Sequence, residues 1–257
     1  MIQPDILQVS NLSVCYGLVK AVQDVSFFVK GGEIFGLLGP NGAGKTSTLS
    51  AIEGLLKPTS GIITVAGYDL RKQALYARAN MGVQLQSTSF QPELKVKEII
   101  GLYAGIYGVK LSDEGLGGIF TDMRLEEAKN KKYSELSGGQ QQRVSLCIAT
   151  IHDPRLVLLD EPTTGLDPQS RRQLWERIEV MREKGHAVLL TTHSMEEAEA
   201  VCDRVAIIDQ GRIIETGPPE ELVDRYRAHP EVVKASRKGR VTLEDVFIGL
   251  TGRAVRQ

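Results

Sequence analysis

Residues 39–46 combine glycines, a lysine and a threonine in a spacing that suits a phosphate chain. They fit the pattern G-x-x-x-x-G-K-[ST]. Glycines let the backbone fold closely around an anion, so that successive N–H groups point into the concavity. Lys45 supplies a positive charge for the terminal phosphates, and the Thr46 hydroxyl can ligate magnesium. The segment therefore predicts binding of a nucleoside triphosphate. The predicted contacts are Gly39, Pro40, Asn41, Gly42, Ala43, Gly44, Lys45, Thr46 and Ser47.

Two adjacent acids follow an apolar run at residues 156–159. At the carboxyl end of a strand in an α/β sheet, side chains face the ligand crevice. Asp160 is therefore expected near the magnesium, directly or through a water. Glu161 is then placed to polarise an attacking water, a role that suits a carboxylate held beside phosphate and metal. The alternative is an ordinary strand that ends in a polar turn.

A second helix start with anion-binding character lies at residues 136–140, which read Leu-Ser-Gly-Gly-Gln. A serine hydroxyl and two glycines before a helix form a capped N-terminus whose N–H groups can receive an anion. Such caps are also common without a ligand, and the two interpretations are compatible. One triphosphate needs no second phosphate-binding segment unless two chains face each other.

The elements around these motifs indicate an α/β protein. The apolar run 34–38 predicts a buried strand before the glycine loop, and 47–56 predicts a helix after it. Further strands are expected within 6–29 and at 62–65, 81–85, 156–159, 187–190 and 205–208, and helices at 168–183 and 195–201. Alternating strands and helices predict a mostly parallel sheet covered by helices. The predicted division is a core at 1–86 and 155–227, a helical insert at 87–154, and an extension at 228–257. The extension is expected to begin with a basic loop over 228–240 and to end in a helix.

Composition excludes several classes of function. The chain has 31 basic and 32 acidic residues, so no global field favours nucleic acid or anionic lipid. No signal peptide is expected, and the apolar-rich stretch 99–109 is too short to cross a bilayer. Cys15, Cys147 and Cys202 are widely spaced in apolar contexts. They predict reduced core thiols in a cytosolic protein.

Together, the motifs at residues 39–46, 136–140 and 156–161 resemble the nucleotide-binding subunit of an ABC transporter, and the resemblance extends over nearly the whole chain. The glycine loop resembles the family's Walker A motif, residues 156–160 resemble Walker B, and residues 136–140 match the family signature. The resemblance implies a RecA-like P-loop NTPase core, an antiparallel β region near the N-terminus and an inserted helical subdomain. It also implies ATP and Mg²⁺ as cofactors.

The resemblance assigns roles to further residues. Tyr16 stands where the family stacks an aromatic ring on adenine, and Gln86 where a glutamine senses magnesium and the transporter partner. Asp167 lies in the segment that links two subunits, and His193 matches the switch histidine at the terminal phosphate. The implied metal contacts are Thr46, Gln86 and Asp160. The implied catalytic residues are Glu161, His193 and Lys45.

Plainer interpretations compete at several residues. Tyr16 could pack a strand edge, and Gln84 competes with Gln86 for the same role. Trp175 has the helical spacing of a core residue, and the acidic run at 196–199 is expected to form a solvated helix face capped by Ser194. The remaining histidines, His152, His186 and His229, are interpreted as structural.

The family implies an assembly. Two copies would enclose ATP head to tail, with Lys45, Thr46 and Asp160 of one copy facing the signature Ser137 and Gly139 of the other. The implied partners are a second copy and a separate membrane permease, with no nucleic acid. The implied location is the cytoplasmic face of the membrane.

The end of the chain suggests a branch of the family. Residues 243–253 resemble the closing segment of bacterial drug- and polymer-export ATPases of the daunorubicin-resistance type. That resemblance implies export of a drug-like, amphiphilic or polymeric cargo. The alternatives are an importer subunit, a soluble ABC ATPase that acts on ribosomes or DNA, and a small P-loop kinase.

Overall fold

The structure, a computed structural model, describes residues 4–84, 90–236 and 241–252. The predicted residue Gln86 lies outside these ranges. The strands are β1 (Asp5–Tyr16), β2 (Val19–Lys30), β3 (Ile34–Leu38), β4 (Ser60–Val65), β5 (Tyr68–Asp69), β6 (Met81–Gln84), β7 (Leu156–Asp160), β8 (Ala187–Thr192), β9 (Arg204–Asp209) and β10 (Arg212–Gly217). The helices are α1 (Lys45–Ile52), α2 (Ala74–Ala79), α3 (Val96–Ile106), α4 (Asp113–Asp122), α5 (Gly138–Thr150), α6 (Pro168–Glu183), α7 (Met195–Val201), α8 (Pro219–Tyr226), α9 (Pro230–Ala235) and α10 (Leu243–Thr251).

The larger sheet has the strand order β10-β9-β3-β8-β7-β6. Strands β9, β3, β8, β7 and β6 run parallel, and β10 adds an antiparallel edge. Every residue of β3, β7 and β8 is buried, which explains their continuous apolar sequences. Because parallel strands end at one edge, the segments that follow β3, β7 and β8 meet there. This confirms the predicted mostly parallel α/β core.

A second, antiparallel sheet has the order β2-β1-β4-β5. Its side chains alternate between buried and exposed, so each strand presents one apolar face. Those faces pack with Leu49 and Ile52 of α1 and with one face of the larger sheet in a common core. Helix α1 is thereby fixed between the two sheets. It ends at Ile52, earlier than the predicted residue 56, because Glu53 and the left-handed Gly54 terminate it.

Helices α3, α4 and α5 enclose a separate apolar cluster. The Phe90 ring lies edge-on to both Tyr103 and Tyr133, with centroid distances of 5.3 Å. Such edge-to-face pairs add specificity to the buried area. The cluster gives the predicted insert its own core, whereas the domain boundaries at residues 86, 154 and 227 stay a prediction.

The C-terminal helices differ in one respect from the expected loop over 228–240. Residues 230–235 form α9, which begins at Pro230 and carries an i,i+3 pair between Glu231 and Lys234 at 2.6 Å. Helix α10 packs against it so closely that a Cβ on Gly249 would lie 2.4 Å from Val232. The basic composition of this segment gave no indication that part of it would pack as a helix. Among the described helices, none has both the length and the apolar character needed to cross a membrane.

Candidate functional site

The glycine loop between β3 and α1 has a shape that only glycine permits at two positions. Gly44 has a φ of 106°, and a Cβ there would lie 2.5 Å from the Ala21 carbonyl oxygen. A Cβ on Gly39 would lie 2.3 Å from the carbonyl oxygen of Ile208. The loop is therefore in close contact with β2 and β9. Helix α1 begins at Lys45, as phosphate binding at a helix N-terminus requires.

Lys45 lies at the centre of the loop with only 4% of its surface exposed. Its Nζ donates hydrogen bonds to the carbonyl oxygens of Gly39 at 2.8 Å and Pro40 at 3.1 Å, and it lies 3.4 Å from Glu161 Oε1. Burial lowers the pKa of Lys45, although Glu161 and Asp160 oppose that shift. Neutral carbonyl oxygens are weaker partners for an ammonium group than phosphate oxygens are. The lysine is thus held where it can exchange these partners for an anion.

The two predicted acids lie at the end of β7 and share one support. Thr191 on β8 donates its hydroxyl proton to Asp160 Oδ1 at 2.5 Å. The Glu161 N–H donates to Thr191 Oγ1 at 3.0 Å and to the Thr191 carbonyl at 3.2 Å. Glu161 adopts a φ of 45°, a left-handed conformation that is uncommon for glutamate. Thr191, which is fully buried, was missed from the sequence because a threonine inside an apolar strand carries no motif.

Glu161 brings the lysine and the predicted switch histidine together. Its Oε1 faces Lys45, and its Oε2 lies 3.3 Å from His193 Nδ1 and 3.3 Å from the Thr164 hydroxyl that donates to it. Burial raises the pKa of Glu161, but Lys45 and His193 together outweigh burial and hold it below its ordinary value. Glu161 is therefore ionised at neutral pH. A carboxylate in this state can accept a hydrogen bond from water and act as its general base, the role predicted for Glu161.

Tyr16 is the last residue of β1 and keeps 52% of its surface exposed. Its hydroxyl lies 3.5 Å from Ser47 Oγ, directly beside the glycine loop. An exposed ring in this position is available to stack on a base, which counts against simple packing of a strand edge. Adenine stacking by Tyr16 stays a prediction.

The competitor of Gln86 is engaged elsewhere. Gln84, the last residue of β6, is 1% exposed and donates from Nε2 to Gln142 Oε1 on α5 at 2.5 Å. This contact joins the strand before Gln86 to the helix that carries the signature. It had no sequence signal, since both glutamines are ordinary residues until the fold brings them together.

The signature segment is bonded to itself. Ser137 Oγ accepts the Gln140 N–H at 3.3 Å, and Gln140 Oε1 accepts the Ser137 N–H at 3.1 Å, which forms a capping box at the start of α5. Ser137 and Gly138 are exposed, whereas Leu136 and Gly139 are buried. Gly139 is required by packing, because a Cβ there would lie 2.5 Å from the Ser170 hydroxyl. The predicted contact with a partner's ATP stays a prediction.

Asp167 caps α6 within its own chain. Its Oδ1 accepts the N–H groups of Gln169 and Ser170 at 3.0 Å each, and its Oδ2 accepts the Ser170 hydroxyl at 2.6 Å. The hydrogen bonds with Ser170 lower the pKa of Asp167. The capped turn holds the loop after Glu161 in one shape. A role of Asp167 at a subunit interface stays a prediction.

Two expectations for other residues were wrong. Cys15 is exposed, because it lies on the outward face of β1, whereas burial raises the pKa of Cys147 to about 12. Within the acidic run on α7, Glu197 is 1% exposed and therefore is not part of a solvated face. Ser194 does cap that helix, as predicted, by accepting the Glu197 N–H at 3.3 Å. Trp175 is only partly buried, and its Nε1 donates to Glu197 at 3.1 Å.

Comparison with known proteins agrees with this geometry. Residues 22–164 match the sequence model of the family described as ABC transporter. The Nod factor export ATP-binding protein I of Rhizobium etli is 42% identical and covers 96% of this chain and 94% of that protein. Its namesake in Sinorhizobium fredii is 36% identical, over 97% of this chain and 87% of that protein.

Solved structures agree as well. A structure of the ATP-binding subunit of an ABC transporter has 31% identity and a TM-score of 0.81, over 96% of this chain and 99% of that one. A dimeric structure of a bacterial ABC transporter cassette has 25% identity and a TM-score of 0.73, over 82% of this chain and 98% of that one.

Proposed function

The chain belongs to the ABC transporter family as an ATP-binding subunit, and we propose that it hydrolyses ATP to power export through a separate membrane permease. One observation carries the catalytic part of this proposal. Glu161 is an ionised carboxylate held between Lys45 and His193, at 3.4 and 3.3 Å, beside the glycine loop and Asp160. A carboxylate, a cation and an imidazole in this arrangement suit attack of water on a terminal phosphoryl group.

The residues present also suit a magnesium ion. Thr46 is exposed at the start of α1 and offers a hydroxyl oxygen, and Asp160 offers a carboxylate. Hard oxygen donors of this kind are what Mg²⁺ prefers. Gln86, outside the described residues, is the proposed third contact. When bound, the ion would neutralise charge on the phosphate oxygens, while this chain's own groups position the reactants.

Hydrolysis in this proposal depends on positioning and electrostatics. Lys45 binds the terminal phosphates, and Glu161 accepts a hydrogen bond from the attacking water and aligns it. His193 lies on the other side of Glu161 and is proposed to contact the terminal phosphate. Because Glu161 and Lys45 neutralise each other in part, a phosphate that draws Lys45 away leaves the carboxylate a stronger acceptor for water.

The second half of each site is proposed to come from another copy of the chain. Ser137 and Gly138 are exposed at the N-terminus of α5, a helix of 13 residues, where N–H groups and the helix dipole favour an anion. A similar bacterial ABC transporter cassette has a dimeric structure, which supports pairing of two copies. The loop capped by Asp167 would then lie at the interface.

Export is the proposed direction of transport. The relatives in Rhizobium etli and Sinorhizobium fredii both carry the name of an export ATP-binding protein, and the similarity extends over 96% and 97% of this chain. The cargo is proposed to be amphiphilic or polymeric and to pass through a separate permease on the membrane, with this subunit on the cytoplasmic face. The near balance of 31 basic and 32 acidic residues gives no support for a nucleic-acid partner.

Replacement of Glu161 by glutamine tests the catalytic assignment. Glu161→Gln should retain ATP binding while kcat for hydrolysis falls about 100-fold or more, the range for loss of a general base. Glu183→Gln, an exposed glutamate on α6, is the matched control and should behave as wild type. Hydrolysis at the wild-type rate by Glu161→Gln would refute the assignment.

The same variant tests the transport assignment. Tagged Glu161→Gln protein with ATP should recover a polytopic membrane protein in an equimolar amount from detergent-solubilised membranes of its native cell. Ribosomal or DNA-associated proteins recovered in its place would overturn the transporter proposal and favour a soluble ABC ATPase.

A further inference from the structure

Glu197 is a buried carboxylate that the proposed reaction does not use. It lies on α7 and is 1% exposed. Its Oε1 accepts two hydrogen bonds, one from the Thr163 hydroxyl at 2.8 Å and one from Trp175 Nε1 at 3.1 Å. A buried carboxylate is costly unless its hydrogen bonds are made, and bonds to a charged acceptor are stronger than neutral ones. Such a group holds its partners in one arrangement.

One partner of Glu197, Thr163, lies close to the catalytic acid, and the other, Trp175, lies on α6. Thr163 is in the loop that begins at Glu161, and its carbonyl accepts the Leu166 N–H at 3.1 Å within that turn. Its neighbour Thr164 donates both to the Glu161 carbonyl, from its N–H at 3.2 Å, and to Glu161 Oε2, from its hydroxyl at 3.3 Å. A shift of Thr163 therefore moves the turn that holds Glu161.

The backbone of Glu197 is hydrogen-bonded to the segment that contains His193. The Glu197 N–H donates to Ser194 Oγ at 3.3 Å, and the Ser194 N–H donates to Thr192 Oγ1 at 2.9 Å. His193 lies between Thr192 and Ser194 in the sequence. The carboxylate thus connects the turn after Glu161 with the turn around His193, and Trp175 anchors the connection to α6.

We propose that Glu197 is a positioning residue that sets the contact of 3.3 Å between Glu161 and His193 by bonding Thr163 and Trp175 at once. This inference rests on the proposed function, in which Glu161 and His193 face the terminal phosphate. It assigns Glu197 no contact with ATP. Loss of the connection should therefore impair the chemical step and leave nucleotide affinity largely unchanged.

A neighbouring glutamate provides an internal contrast. Glu196 also joins α7 to α6, through an ion pair with Arg171 at 3.1 Å, but its side chain is 72% exposed. Exposed pairs of this kind contribute little. Glu196→Gln is thus a matched control that removes the same charge one residue away on the same helix.

The direct test removes the hydroxyl from Thr163 while keeping its shape. Thr163→Val should lower kcat for ATP hydrolysis at least about tenfold, because small displacements of a catalytic group are costly. The KM for ATP should stay within about twofold of wild type, since the binding groups are untouched. Thr163→Ser restores the hydroxyl and should restore kcat. Glu197→Gln keeps an acceptor oxygen without the charge, so it should lower kcat less than Thr163→Val does, and Glu196→Gln should resemble wild type.

Trp175 offers a signal that a purely structural role would not produce. It is the single tryptophan of the chain, so the intrinsic tryptophan emission reports the surroundings of the indole bonded to Glu197. ATP should change that emission in the wild-type protein, because movement at Glu161 and His193 reaches Trp175 through Glu197. Thr163→Val should lose the change, and Thr163→Ser should keep it.

The outcomes separate this inference from the proposed function. If Glu161→Gln abolishes hydrolysis while a folded Thr163→Val keeps the wild-type kcat and ATP-dependent emission, the positioning role is refuted and the proposed function stands. An equal loss of kcat in Thr163→Val and Thr163→Ser would also refute it, because the hydroxyl would then be irrelevant. If Glu161→Gln itself hydrolyses ATP normally, the proposed function fails first. If Glu197→Gln does not fold, the pair of Thr163 variants still decides the question.

Discussion

The acids that follow β7 and the signature segment at the start of α5 are built in opposite ways. At the end of β7 and β8, Asp160 and Glu161 are bonded to Thr191 and lie against Lys45 and His193, so the groups support one another across several strands. At the start of α5, the hydrogen bonds of Ser137 close back on Gln140, in the same turn. The first segment is supported from within the chain. In the second, Ser137 and Gly138 are exposed at the start of the helix and can face another molecule.

This difference indicates a division of labour between copies. A site that must align water and phosphate needs preorganised groups, which the crossed contacts of the first segment supply. A segment that must engage and release during a cycle is better served by a capped helix end than by a network that has to be broken. Variants that disturb one segment without the other test this contrast directly.

The largest effect is expected from Lys45→Ala. The Lys45 ammonium group is the positive charge of the glycine loop that is proposed to bind the terminal phosphates. Its loss should therefore weaken ATP binding by about 2–3 kcal/mol, or about 100-fold in Kd. Hydrolysis should fall with it. Lys72→Ala, at an exposed lysine, is the control. Titration calorimetry measures the affinity, and an unchanged Kd would contradict the proposed role of the loop.

The signature segment at the start of α5 can be altered without a clash within its own chain. Gly138 is exposed, and a Cβ there would approach Leu166 no closer than 3.9 Å. An acid in the first turn of α5 favours the helix through its dipole but would repel a phosphate. Gly138→Glu should therefore fold normally, bind ATP and hydrolyse it about 100-fold more slowly, because one misplaced charge disrupts transition-state stabilisation.

Mixing experiments sharpen this prediction. Neither Gly138→Glu nor Glu161→Gln should be active alone, but a dimer of one of each contains one site free of both changes. A 1:1 mixture should regain about a quarter of the wild-type rate, because half of the random dimers hold one intact site of two. Full activity of Gly138→Glu alone would contradict a role of the signature segment in the partner's site. A mixture without recovery would mean that Gly138 and Glu161 of one chain act in the same site.

The features that could be predicted are those that depend on residues close together in the sequence. The parallel sheet, the glycine loop and the acids after β7 come from short runs whose chemistry depends on adjacent residues. Thr191 and Glu197 could not be identified in this way, since their importance comes from strand register and from packing between α6 and α7. Cys15 was misjudged for a related reason, because the apolar context of a strand does not tell which face is covered.

A buried glutamate at the end of α1, near Asp160, opposes the stability of the fold and yields the smallest predicted effect. Glu53 follows α1 and is 7% exposed, and within the described residues its Oε1 has no hydrogen-bond partner. Burial, and then the nearby charge of Asp160, raises the pKa of Glu53 from 4.5 to about 7. The side chain therefore resists ionisation in the folded protein.

The sign of the pH dependence follows from that shift. Below pH 4.5 the carboxyl group is protonated in both the folded and the unfolded chain, and no penalty arises. Between pH 4.5 and about 7 the unfolded chain ionises while the folded chain keeps its proton, so the free energy of unfolding decreases as the pH rises, and the loss is complete above that window. Glu53→Gln removes the ionisation and should stabilise the protein without nucleotide or metal by about 1–2 kcal/mol at pH 8, since solvent screens part of the penalty. Denaturant unfolding of both proteins at pH 8 and near pH 4.5 measures the difference, which should shrink toward zero at the lower pH. A difference of equal size at both values would mean that the substitution acts through packing and that ionisation of Glu53 does not oppose folding.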